Sequence, residues 1–251
     1  MAYIGKQPAS VALASSDIAD GIISEAKMAN DAISLTELKA GTDGEIISWD
    51  ASGNPVAVGV GSDGQVLTST GAGSPPAFEA GNPSLLYSTA STVDTGTLTI
   101  SSTYITSTHR WYKIYLSGKM KTDDVTLRMR YSIGGSDVTS GYSHDNAEIG
   151  ADSNTTSQGS AAYININHVN NIGNNSNEPF SAVIDFLNPS STTLTTTTQG
   201  QISFGDASDG WRSEIVSGRR NDGTQAHNGI TFYPSSGDFE EYALAVYGFK
   251  V

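Results

Sequence analysis

Five residues of this chain have the chemistry of ligand recognition: Tyr142, His144, Trp211, Arg212 and His227. Aromatic rings stack on the faces of sugar rings, and guanidinium and imidazole groups hydrogen-bond hydroxyls. All five lie in polar segments rich in Asn, Gly and Ser. Gly134–Gly159 and Gly205–Arg212 read as long loops, as does Asn170–Asn177. Loops of that length without structure of their own are usually functional or disordered. Plainer readings stand beside these. Trp211 suits packing beside a turn equally well, and Arg219-Arg220 suits a solvated or interface ion pair better than a ligand contact.

Chemistry beyond recognition finds little support. The histidines are His109, His144, His168 and His227, with no H-x-H or H-E-x-x-H spacing to prepare a metal site. Asp206-Ala207-Ser208-Asp209-Gly210 resembles half a calcium loop, but its ligand alternation fails and a turn explains it better. Glycoside hydrolysis needs two carboxylates facing one cleft. Asp123, Asp124, Asp185, Asp206 and Glu214 are available, yet no spacing pairs them. There is no nucleophile elbow, P-loop or dinucleotide fingerprint. With no cysteine, disulfides, thiolate catalysis and Cys-based zinc sites are excluded. The sequence therefore assigns no catalytic residue, no metal ligand and no cofactor.

The elements that must position these residues fall into three parts. In the first, Ile18-Ala19-Asp20-Gly21-Ile22-Ile23-Ser24 returns ten residues later as Met28-Ala29-Asn30-Asp31-Ala32-Ile33-Ser34. Turns at Asp20-Gly21 and Asn30-Asp31 favour short extended segments, with a helix from Leu35 to Lys39 as an exception. In the second, Asp43-Gly44-Glu45-Ile46-Ile47-Ser48 returns twenty residues later as Asp63-Gly64-Gln65-Val66-Leu67-Thr68. Each copy reads as a hairpin, with a further turn at Ser52–Pro55 and at Gly73–Pro76. Units with so few apolar residues must stack on neighbours or on other chains. Residues 1–40 thus read as a leader with ten-residue repeats, and 41–81 as a stalk or spacer.

Residues 82–251 form the third part, with longer runs of Val, Ile, Thr, Tyr and Phe. The expected strands are Ser84–Tyr87, Thr97–Ile100, Trp111–Ser117, Val125–Ile133, Ala161–His168, Phe180–Leu187, Thr192–Ile202, Glu214–Gly218, Gly229–Phe232 and Tyr242–Lys250. Arg128, Arg130 and Ser132 alternate with Leu127, Met129, Tyr131 and Ile133, the pattern of a half-buried antiparallel strand. The expected fold is mostly β: an elongated repeat-containing stalk followed by an antiparallel, jelly-roll-like β-sandwich head.

Only 16% of the 251 residues are charged, and the net charge is −13. That balance disfavours nucleic acid and anionic membrane surfaces. No segment suits a signal sequence or a membrane span, so neither export nor membrane insertion is expected.

The opening Met1-Ala2-Tyr3-Ile4-Gly5-Lys6, both repeats, and the closing Gly229–Gly237 and Val246–Lys250 stretches resemble bacteriophage tail-fibre and related virion proteins. The likeness is to those of tailed phages infecting marine cyanobacteria and similar hosts. It implies a homotrimer in the virion, made in the host cytoplasm, with an N-terminus attached to tail or capsid proteins and a receptor-binding head. Three functions compete: an adhesin for a host surface glycan, a capsid-attached decoration fibre or tail appendage without activity, and a polysaccharide depolymerase. The adhesin leads. The depolymerase is weakest, because the chain lacks the length and repeats of a β-helical body. The acidic balance points to a neutral or weakly charged glycan, held by the long loops with little dependence on salt.

Overall fold

The computed structural model describes residues 14–24, 27–28, 40–149, 155–208, 210–221 and 223–250. Most of the leader, the second ten-residue copy and the expected Leu35–Lys39 helix lie outside these. The chain divides into two units, residues 1–79 and 80–251.

In the first unit the twenty-residue repeat becomes two hairpins. β1 (Ile46–Trp49) pairs antiparallel with β2 (Pro55–Val58), and β3 (Gln65–Thr68) pairs with β4 (Ala77–Ala80). Asp50 closes the first turn: its Oδ1 accepts the Ser52 and Asn54 N–H groups at 2.8 and 2.9 Å. Gly53 follows at φ 80°, a left-handed conformation that glycine adopts without strain. Adjacent strand residues point to opposite faces, yet Ile46 and Ile47 are both exposed, as are Val66 and Leu67. Val58 is the one buried residue among those described here.

The second unit is a β-sandwich. Its larger sheet uses β5 (Ser84–Ser91), β7 (Trp111–Met120), β10 (Tyr142–Glu148), β11 (Thr155–Ala161), β13 (Phe180–Leu187), β14 (Thr197–Gly205), β15 (Trp211–Arg220) and β17 (Phe239–Phe249). Their order is β11-β10-β15-β14-β13-β7-β17-β5, antiparallel throughout. The smaller sheet uses β6 (Leu98–Ile100), β8 (Leu127–Ile133), β9 (Ser136–Asp137), β12 (Ile164–Asn165) and β16 (Gly229–Pro234). It runs β12-β8-β16-β6, with β9 on β8.

Strand alternation turns one face of each sheet inward. Leu98, Ile100, Leu127, Met129, Tyr131 and Phe232 of the smaller sheet meet Tyr112, Ile114, Leu116, Ile184, Phe186, Ile202 and Val246 of the larger in one core. Tyr131 ties the layers, with its hydroxyl 2.9 Å from Thr198 Oγ1 and its ring 5.1 Å from Phe186.

Two sequence expectations need correction. The polar segment Gly134–Gly159 is not one long loop, because β9, β10 and the start of β11 lie in it. Its inward residues Tyr142, His144 and Asn146 carry the two-residue period in polar letters. Conversely, the run Ala161–His168 is mostly not strand: beyond the end of β11, only Ile164–Asn165 pairs. The backbone beyond β12 instead turns to serve a buried carboxylate. Glu214 accepts N–H groups from His168, Val169 and Asn170 at 2.8, 3.2 and 2.9 Å.

Candidate binding surface

The five sequence candidates do not converge. Tyr142 is fully buried on the inner face of β10. Its hydroxyl accepts the Tyr131 N–H at 2.8 Å and donates to the Val138 carbonyl at 3.1 Å. Burial raises its pKa far above the usual phenol value. His227 is also buried, with Nδ1 2.8 Å from Thr196 Oγ1 and its ring edge-on to Tyr131. Both residues flank Tyr131 and serve the core.

His144 is buried two residues from Tyr142 on the same inward face, edge-on to His168 at 5.8 Å. Burial, then the charge of His168, lowers its pKa to about 4. Its ring nitrogens have no partner among the described residues. These three rings are therefore no sugar-stacking platform: inward alternation buries Tyr142 and His144, and the loop before β16 packs His227 against Thr196 and Tyr131.

Arg212 is held by Asp206 at 2.6 Å and Glu148 at 3.1 Å. Its hydrogen bond and charge hold Asp206 below the usual carboxylate range. Trp211 alone of the five offers a free face: it opens β15 and is 63% exposed.

The carboxylates are similarly committed. Asp185 joins Lys113 at 2.7 Å and accepts the Trp111 Nε1–H at 2.9 Å. Asp206 belongs to Arg212, and Glu214 to its three backbone donors. Among the described residues no group of three His, Asp or Glu is placed to hold a metal ion.

The outer face of the larger sheet presents a surface that the loops do not. Three adjoining hollows of about 690, 580 and 300 Å³ run along β17 and its neighbours β5 and β7. The 580 Å³ hollow shares Ala90, Ser117 and Ala243 with the 690 Å³ one and Tyr115 and Ala245 with the 300 Å³ one, so the three form one trough. Its floor is low because Ala and Ser alternate outward. One end of it is aromatic: Tyr115 stands edge-on to Tyr247 at 5.8 Å, beside Phe249, which Trp111 backs at 4.5 Å. The lysines beside it are neutralised, Lys113 by Asp185 and Lys119 by Glu240. Aromatic content with little free charge is the composition of a protein contact core.

The alternation Ala243, Ala245, Tyr247, Phe249 was legible in the sequence. That it faces outward was not, because Leu244 and Val246 fill the inward positions equally well. Comparison with protein-family models, with curated proteins and with solved structures finds no match for the chain.

Proposed function

We propose that this chain is a non-enzymatic virion fibre, assembled as a homotrimer, whose sandwich head adheres to a glycan on the host surface. Residues 1–40 attach it to the particle, 41–81 form the stalk, and 82–251 form the head. The observation that carries this reading is the pair of hairpins with apolar side chains exposed on both faces. A lone two-stranded hairpin is marginal in water, and Ile47, Trp49, Val66 and Leu67 are exposed among the described residues. Copies of the same chain, wound about an axis, cover them. The aromatic trough of the head extends the same logic, with a second copy packing over Tyr115 and Tyr247.

Sedimentation equilibrium of the whole chain tests the assembly. A mass three times that of one chain is expected, and a stable monomer overturns it. Tyr115→Glu is expected to loosen the head contacts while preserving the sandwich. A fibre lacking residues 1–40 is expected to bind host cells but not to assemble onto virions. The trough also suits a decoration fibre with no ligand of its own. Absence of saturable binding of the intact protein to host cells selects that reading.

A further inference from the structure

The outer face of the smaller sheet carries charge that the chain as a whole does not suggest. Arg128 and Arg130 point outward from β8, two residues and so about 7 Å apart along one strand. Each guanidinium sits over a tyrosine ring: Arg128 over Tyr163 with its Cζ 4.1 Å from the ring centre, Arg130 over Tyr233 at 4.8 Å. Each spends one donor on the sheet's own scaffold. Arg128 Nε–H reaches Asn165 Oδ1 at 3.3 Å, and Arg130 Nε–H reaches the Ala162 carbonyl at 3.1 Å.

Among the described residues neither guanidinium has a carboxylate within salt-bridge range, although acidic residues outnumber basic ones 26 to 13. The terminal N–H groups of these two half-buried arginines have no hydrogen-bond partner among the described residues. Asp137, on the neighbouring β9, has an Oδ1 that already accepts the Ser132 and Thr231 hydroxyls at 2.9 and 2.8 Å.

Ring stacking and the Nε bonds fix both forks before any ligand arrives, which lowers the entropy lost on binding. A planar fork with paired donors matches a carboxylate bidentately. Exposed Thr99 lies on β6, across β16 from Arg130, and its hydroxyl suits a sugar hydroxyl. Nucleic acid fits poorly, since two arginines on a chain of net charge −13 cannot neutralise a run of phosphates.

We propose that Arg128 and Arg130, stacked on Tyr163 and Tyr233, bind the carboxylates of an acidic polysaccharide. This inference rests on the adhesin reading and names its ligand class. It departs from the neutral glycan that net charge alone suggested, because recognition depends on local charge.

The test immobilises polygalacturonate, dextran, dextran sulfate and polyglutamate, and measures binding of the full-length protein over a range of NaCl concentrations. Binding to polygalacturonate that weakens with salt, with none to dextran, is expected. Arg128→Gln with Arg130→Gln is expected to weaken it by about tenfold per arginine lost. Arg128→Lys with Arg130→Lys, which keeps charge without the fork, is expected to fall between. Circular dichroism and the thermal midpoint confirm that each variant is folded.

Equal binding to dextran sulfate overturns the carboxylate assignment, and equal binding to polyglutamate overturns the sugar. Host-cell binding that survives both Gln substitutions overturns this site and leaves the adhesin standing. A parent protein that never binds host cells removes the adhesin itself.

Discussion

A side chain's exposure, more than its type, decides what it can do here. Tyr142 and Trp211 are both aromatic residues in Gly- and Ser-rich surroundings, but one is fully buried and the other 63% exposed. Tyr142→Ala therefore removes a core ring and leaves the Tyr131 N–H without its acceptor. It is expected to cost about 3–5 kcal/mol in urea unfolding, whereas Trp211→Ala is expected to leave stability within about 0.5 kcal/mol. His144 adds a pH dependence. Burial lowers its pKa from 6.5 to about 4, with His168 repelling the charge from the 162–170 segment and Asp145 of its own strand partly opposing. The unfolded chain takes up this proton near pH 6.5 and the folded chain only near 4. Stability is thus complete above about pH 6.5 and is lost as pH falls toward 4, by about 3 kcal/mol in all. His109, also lowered by burial, acts with the same sign. In His144→Leu the decline in unfolding free energy between pH 7 and 4.5 is expected to be shallower by about 2 kcal/mol. Parallel declines in parent and variant would show that His144 does not titrate in that window.

The strands that were easy to read are those whose inward residues are apolar. Phe180–Leu187 matches β13 at both ends, and the Arg128–Ile133 alternation matches β8. β10 escaped notice because its inward residues Tyr142, His144 and Asn146 are polar types: Tyr142 packs on Tyr131 in the core, and Asn146 donates to the Asn165 and Ile166 carbonyls. Thr192–Ile202 began too early: β14 starts at Thr197, after a loop bonded through the Ser191 hydroxyl. Glycine matters most where strands crowd. On the inward side of β14, a methyl at Gly200 would lie 2.4 Å from the Val183 carbonyl oxygen and 2.7 Å from Ile184 Cδ1. Gly200→Ala is expected to cost about 2 kcal/mol or more, read as a lowered urea midpoint at unchanged m-value. An unchanged midpoint would mean that β13 yields without strain.

For the whole molecule the question is what a single chain leaves uncovered. Ile47 and Leu67 occupy equivalent positions of the twenty-residue repeat, and both are exposed in one chain. Substituting Asp for both costs a monomer little, since charge there meets water. In a trimer the same charges are buried without partners, which is strongly unfavourable. Ile47→Asp with Leu67→Asp is expected to shift sedimentation from trimer toward monomer while the sandwich keeps its β-type circular dichroism. A trimer that withstands both changes would place its contacts elsewhere.

The sequence by itself determined the β class, the two hairpins and most of the strands of the sandwich. These follow from local causes: turn residues, β-branched content and two-residue alternation act over a few neighbours. It also left no cysteine for disulfide or thiolate chemistry. Only the tertiary structure decided which face of each strand looks inward. That choice buried Tyr142 and His144, and long-range packing buried His227 and joined Arg212 to Asp206 and Glu148. It also turned Tyr115 and Tyr247 outward into a trough and left Arg128 and Arg130 with no salt-bridged carboxylate among the described residues. Period-two alternation is symmetric between faces. The side that becomes core is fixed by the opposing sheet, through contacts distant in sequence.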